Sequence, residues 1–152
     1  MPQDHPAEGF HHITTEVGEL RFHAVDEGKG PVVLLLAGWP QTWYAWRHVV
    51  TGLKDQARVV ALELKGQGET SLDLAGDFST PAVASEISAY LKERNIDEVL
   101  LVGHDVGAWV AHAFSILHAD QLRGTLLLDA ALIGLVPQEA YMPRPGSRTW
   151  QF

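Results

Sequence analysis

The stretch Gly103-His104-Asp105-Val106-Gly107 constrains this chain more than any other five residues. It follows an apolar run, Val99-Leu100-Leu101-Val102, that reads as a buried parallel strand. It opens a segment rich in small residues, Gly107, Ala108, Ala111 and Ala113, that reads as a helix. A strand, a G-x-x-x-G turn and a helix in that order describe a nucleophile elbow. The chain must reverse within very few residues, so the flanking positions need small side chains and the central residue takes a strained backbone. The central side chain is held at the carboxyl end of the sheet beside a helix N-terminus, where free N–H groups favour negative charge. Where such turns usually carry serine, this one carries Asp105. A carboxylate is ionised at neutral pH and needs no base to activate it, so the expected chemistry moves from acyl transfer to attack on a saturated carbon. Asp105 by itself would serve equally as a helix N-cap. The paired glycines and the motifs below favour the nucleophile.

The remainder of the chain alternates strand and helix. Residues 10–15 and 20–26 read as strands joined by a turn at Val17-Gly18-Glu19, and the all-apolar run 31–36 as a central strand. Residues 43–54 place Trp46, Val50 and Leu53 on one helical face, and 58–62 form another strand. Residues 81–94 read as a helix with Thr80 as N-cap, Pro81 in the first turn and Asn95 at the stop; Val83, Ile87, Tyr90 and Leu91 form its apolar face. Strand 98–102, helix 107–118 and strand 122–128 follow. The expected fold is α/β: a mostly parallel sheet flanked by helices, after a β-meander start. Residues 133–152 contain Pro137, Pro143, Pro145 and Gly146 without a clear period and end on the aromatic Trp150-Gln151-Phe152. An aromatic end of that kind suggests a covering segment.

Ala37-Gly38-Trp39-Pro40 lies directly after strand 31–36. A glycine turn at that end of a strand aims backbone N–H groups into a site. The amides of Trp39 and of Val106, just after the nucleophile, are the expected oxyanion hole. The segment Leu62-Glu63-Leu64-Lys65-Gly66-Gln67-Gly68 fits neither glycine-rich phosphate fingerprint and reads as a structural turn near the rim, with Glu63 and Lys65 solvated or ion-paired.

These three motifs, in this order, resemble the α/β-hydrolase fold, in the branch of epoxide hydrolases and haloalkane dehalogenases. Members carry His-Gly-x-Pro, Asp-x-x-Gly-x-Gly-x-Ser and Gly-His-Asp-x-Gly. The likeness runs from about Phe10 to Phe152, and the Leu128-Asp129-Ala130-Ala131 exit with Gly134 is similar to the family's passage into its cap. It divides the chain into residues 1–132, the N-terminal part of the core, and 133–152, the start of the cap. Three residues depart from the pattern: Ala37 replaces the histidine, Glu63 the first aspartate, and Val106 stands where many haloalkane dehalogenases place a halide-binding tryptophan. An aliphatic side chain offers no N–H to a halide, which favours epoxides.

The resemblance implies a nucleophile Asp105, with Gly38, Pro40, Gly103, His104, Gly107 and Trp150 shaping the elbow and pocket. Asp129 is the candidate acid, and Tyr44 and Tyr141 are minor candidates for protonating an epoxide oxygen. The triad order is nucleophile, acid, histidine. His112 and His118 lie on the helix leaving the elbow and cannot serve as its base; His104 reads as a packed elbow residue, and His11, His12, His23 and His48 form no evident constellation. The family is considerably longer than 152 residues, and its cap and catalytic histidine follow the point where this sequence stops. The expected partners are therefore a small hydrophobic epoxide or halogenated substrate and a second polypeptide segment that completes the fold. No cofactor or metal is expected. Two alternatives stay open: a dehalogenase of the same fold, and a non-catalytic fragment or small-molecule-binding module.

Composition narrows the setting. A net charge of −8 argues against nucleic acid and acidic membrane surfaces, and the absence of cysteine excludes disulfides and thiolate metal sites. The polar start, Met1 to Pro6, lacks a signal-peptide core and no apolar run is long enough to span a bilayer, so a cytoplasmic protein is expected.

Overall fold

A computed structural model describes residues 9–132 and 134–137. Its elements are β1 (His12–Val17), β2 (Leu20–Glu27), β3 (Val32–Leu36), α1 (Arg47–Leu53), β4 (Arg58–Leu62), α2 (Thr80–Glu93), β5 (Val99–His104), α3 (Val106–Leu117) and β6 (Leu122–Leu128). They form a six-stranded sheet in the order β1-β2-β4-β3-β5-β6. β1 pairs antiparallel with β2 and β2 with β4, while β4, β3, β5 and β6 run parallel.

This order corrects the expected meander. β4 inserts between β2 and β3, because a parallel β3–β4 pair needs a crossover helix, here α1, which carries the chain over one face. Alternation along β3 serves two cores. Leu34 and Leu36 join Ile87, Val110 and Phe114 beneath α2 and α3, while Val33 and Leu35 join Trp43 and Val50 beneath α1. Burial of each such side chain contributes about 1.5–3 kcal/mol, so both faces of the central strands hold the layers together.

Two local expectations shift. The helix expected over 43–54 is a 3-10 turn, Trp43–Trp46, followed by α1; the Thr42 hydroxyl accepts from the Tyr44 amide and starts that tight turn. Ser79, not Thr80, is the N-cap residue of α2, which places Thr80 and Pro81 inside the first turn. Asn95 ends α2 as expected, at φ +52°. Among the described residues no helix is long and apolar enough to cross a membrane.

The connection after β3 leads to α1 on one face, and the connection after β5 leads to α3 on the other. The carboxyl ends of these adjacent strands therefore diverge, leaving the crevice at which open α/β sheets bind ligands. The Gly38 loop and Asp105 lie at those ends.

Candidate active site

Close backbone packing builds the elbow. A Cβ on Gly103 would run into the Gly107 carbonyl group, and one on Gly107 into the carbonyl oxygens of Leu36 and Ala37. The two glycines thus let α3 start against both β5 and β3. Between them Asp105 adopts φ 54°, ψ −120°, a conformation costly for a residue with a side chain. Neighbours hold it there: its amide donates to the Leu128 carbonyl at 3.1 Å, and its carbonyl accepts from the Ala108 amide at 2.9 Å.

The Asp105 side chain rests on Gly38. A Cβ at Gly38 would lie 2.6 Å from Asp105 Cβ and 2.8 Å from Oδ1. From the same loop the Trp39 amide donates to Asp105 Oδ1 at 3.1 Å. Val106, the second expected donor, is the first residue of α3, where amide groups have no partner inside the helix. A cleft of about 280 Å³ opens beside both, lined by Trp39, Leu72, Phe78, Val83, Val106 and Val110 among others. Its walls are more apolar than polar, with Lys65, Gln67 and Thr80 also lining it. The Trp39 side chain is 69% exposed at its edge.

The loop carrying Trp39 is held from several sides. The Gly38 carbonyl accepts from the Gln41 amide at 2.9 Å and from Gln67 Nε2 at 3.4 Å. The Gly38 amide donates to Gln41 Oε1 at 3.2 Å, which His104 Nδ1 also meets at 3.3 Å. His104 thus meets the side chain that holds the Gly38 amide. The two glycines after β4 do form a turn, and Gln67 between them reaches the Gly38–Trp39 loop.

One constellation was missed in the sequence. Glu63 is buried, and its carboxylate accepts from His23 Nδ1 at 2.8 Å, from the Glu69 amide at 2.7 Å and from the Trp43 amide at 3.2 Å. His23 Nε2 in turn meets His12 Nδ1 at 2.9 Å. The reading of these histidines as forming no constellation is corrected: antiparallel pairing of β2 with β4 brings His23 beside Glu63 across 40 residues of sequence. No local pattern carries that pairing. Hydrogen bonding to Glu63 raises the His23 pKa above its ordinary value, against the opposing effect of burial. Burial pushes Glu63 upward, but the His23, Glu69 and Trp43 donors outweigh it and hold the carboxyl below its ordinary range. Lys65 is likewise buried and paired, with Glu86 at 2.5 Å. Of the two readings for these charges, ion pairing holds and solvation does not.

The other candidates are placed as follows. Asp129 is exposed directly after β6, at φ +49°. Pro40 is exposed on the loop that carries Trp39. Tyr44 packs edge-on to Trp43 with the Arg47 guanidinium over its ring, a packing role. His112 lies in the middle of α3, and His118 directly after it, 3.4 Å from the Ser85 hydroxyl. Tyr141, Trp150 and nearly all of 133–152 lie outside the described residues. Among the described residues no cluster of three or more His, Asp or Glu side chains has the arrangement to hold a metal ion.

Comparison with known proteins places this geometry. A family model described as alpha/beta hydrolase fold matches residues 31–150. The chain is 32% identical over 134 residues to a soluble epoxide hydrolase of Corynebacterium sp. (strain C12), covering 88% of this chain and 46% of that protein. It is 31% identical over 126 residues to a fluoroacetate dehalogenase of Burkholderia sp., covering 80% and 41%. The crystal structure of Cfl2 from Burkholderia cenocepacia superposes with a TM-score of 0.85 at 39% identity, over 94% of this chain and 50% of that one. The chain spans less than half the length of the curated relatives it matches.

Proposed function

Because the chain belongs to the α/β-hydrolase fold family, we propose that it carries the nucleophile and oxyanion hole of an epoxide hydrolase. In this reading a further polypeptide segment supplies the catalytic histidine and the group that protonates the substrate oxygen. The observation that carries it is the Trp39 amide 3.1 Å from Asp105 Oδ1, at the end of a strand–turn–helix elbow.

That hydrogen bond distinguishes the two carboxylate oxygens. Oδ1 is held by the loop, so Oδ2 is the oxygen that attacks. Its electron pair forms a bond to an epoxide carbon, the carbon–oxygen bond of the ring breaks, and the departing oxygen takes a proton from the completing segment. The product of this step is an ester whose carbonyl oxygen is Oδ1, already seated at the Trp39 amide. Water, deprotonated by the histidine, then adds to Asp105 Cγ. The negative charge develops on Oδ1, facing the Trp39 and Val106 amides. Collapse releases the diol and returns the carboxylate. The oxyanion hole thus serves mainly the second step.

The apolar cleft beside Trp39 and Val106 supports a small hydrophobic substrate. Asp129 is proposed as the acid that would orient the incoming histidine, from its place one residue past β6. A dehalogenase is the second reading, favoured by the fluoroacetate dehalogenase among the relatives. There the first step would expel halide in place of the ring oxygen.

The test is a single turnover in ¹⁸O-labelled water, using the chain together with the segment that completes it. One labelled oxygen is expected in the Asp105 carboxylate, because water adds to Cγ of the ester. Asp105→Ala is expected to abolish turnover, and Asp105→Asn nearly so. Full activity in the alanine variant sinks the assignment. Halide release without epoxide opening selects the dehalogenase, and an inert, correctly assembled protein selects the binding module.

A further inference from the structure

The Gly38–Trp39 peptide is a single rigid plane: its N–H points at Asp105 Oδ1 and its carbonyl points away, toward Gln67 Nε2. Two segments therefore determine where that N–H aims, the loop that runs on from Trp39 to Trp43 and the turn Gly66–Gly68 that presents Gln67. One side chain holds both. Glu63 Oε1 accepts from the Trp43 amide, fixing the far end of the oxyanion loop, and Oε2 accepts from the Glu69 amide, fixing the turn. Gly68 makes room for it: at φ +52°, a Cβ there would overlap the Glu63 carboxylate. His23 Nδ1 occupies the remaining direction at 2.8 Å, and its ring is backed at Nε2 by His12 Nδ1. The Thr70 hydroxyl donates to the Glu63 carbonyl at 2.9 Å and so ties the same turn to the end of β4.

We propose that Glu63 is a positioning residue for the oxyanion hole, acting through Trp43 and Gln67 to aim the Trp39 amide at Asp105 Oδ1. The proposal rests on the hydrolase reading above for its kinetic consequence, though not for its structural one. The carboxylate touches neither substrate nor Asp105. Its effect falls on the step in which charge develops on Oδ1, because that is when the amide must be correctly aimed.

The test combines two readouts on Glu63→Gln, which keeps the shape but removes the charge that draws the two amides and His23 inward. In single turnovers of the completed protein, ester breakdown is expected to slow about 10- to 100-fold, the range for a misplaced catalytic donor. Ester formation should change far less, so the ester accumulates. A loss of folded protein would lower both steps alike and leave their ratio unchanged. In NMR spectra the Trp39 amide proton is expected to move upfield, as its hydrogen bond to Asp105 lengthens, with core amides such as Leu101 unmoved. Wild-type ester breakdown and an unmoved Trp39 amide in folded Glu63→Gln overturn the proposal. If Glu63→Gln does not fold, Gln67→Leu, at a half-buried position of the turn, severs one of the two arms; unchanged ester breakdown and an unmoved Trp39 amide in that variant also overturn it. Absence of any ester in the wild-type protein defeats the hydrolase reading, and the amide shift then decides the positioning role alone.

Discussion

The Trp39 amide and the Asp105 carboxylate meet at 3.1 Å across 66 residues of sequence, over a glycine that has no room for a side chain. The contact joins the loops after β3 and β5, adjacent parallel strands whose connections leave on opposite faces of the sheet. Gly38 is what permits it. An alanine there would place its Cβ 2.6 Å from Asp105 Cβ, and neither side is free to give: Asp105 is pinned through Leu128 and Ala108, Gly38 through Gln41. Gly38→Ala is expected to cost about 1–3 kcal/mol of stability by overpacking. Ester breakdown is expected to slow about 100- to 1000-fold by loss of an oxyanion donor. Urea unfolding and single-turnover kinetics check the two effects separately; a full-rate Gly38→Ala enzyme would remove the Trp39 amide from the mechanism.

The buried His23–Glu63 pair gives stability a definite dependence on pH. His23 has a folded pKa above its ordinary value of 6.5. Its contribution is complete below that value and is lost as pH rises through the folded one. Glu63 has a folded pKa below its ordinary 4.5, so its contribution is complete above that value and is lost as pH falls through the folded one. The pair therefore stabilises most between 4.5 and 6.5. Unfolding free energies measured across pH 3 to 9 should show a maximum there in the wild-type chain, flattened in a His23→Gln/Glu63→Gln double variant.

Removing one partner of that pair is a different experiment from removing both. His23→Ala leaves the Glu63 carboxylate buried with only its two amide donors. The expected cost is about 3 kcal/mol, the lower end of the range for an uncompensated buried charge. A cost below that of an ordinary surface substitution would mean that the pair is not closed in solution. Calorimetric or urea unfolding near pH 5.5 gives the answer directly.

Which parts of this arrangement can be read from the sequence follows from the range of the forces involved. The elbow is a local backbone problem: Gly103, Asp105 and Gly107 lie within five residues, and steric rules for a tight turn assign it. The parallel strands are legible because β3, β4 and β5 are nearly unbroken apolar runs, buried on both faces. The pairing of β2 with β4 is not legible, because what specifies it is a crossover and a packed face, neither of which leaves a pattern in the paired residues. The polar cluster depends on that pairing. His23 reads as an isolated side chain and Glu63 as a solvated or paired charge until the sheet sets them side by side, and with them goes the anchoring of the loop that carries Trp39. The Ser79 cap differs from the expected Thr80 by one residue, a choice between neighbouring hydroxyl residues that the local sequence leaves nearly balanced.

Tyr90 tests the core instead of the site. It is fully buried against Phe22, and among the described residues its hydroxyl faces only the Thr15 hydroxyl, without a well-formed hydrogen bond. Burial pushes its pKa up to about 12. A polar group in that position weakens the fold, since its hydration is lost and poorly replaced. Tyr90→Phe is expected to raise stability by about 1 kcal/mol, with the rates of both chemical steps unchanged. A loss of that size would show that the hydroxyl is bonded after all.

At Asp105 the proposed function is set against stability. At φ 54°, ψ −120° the residue occupies backbone space suited to glycine, at a cost on the order of 1–3 kcal/mol. The strain turns the carboxylate out of the strand and over Gly38, where Oδ1 meets the Trp39 amide. Asp105→Gly relieves the backbone and removes the proposed nucleophile together. The glycine variant should therefore be inactive and more stable than the wild type. Asp105→Ala should be equally inactive but gain nothing, because its Cβ keeps the backbone penalty. The comparison of glycine with alanine isolates the backbone from the charge. Thermal unfolding of the two variants side by side measures it, and equal midpoints would mean that the elbow stores no strain at Asp105.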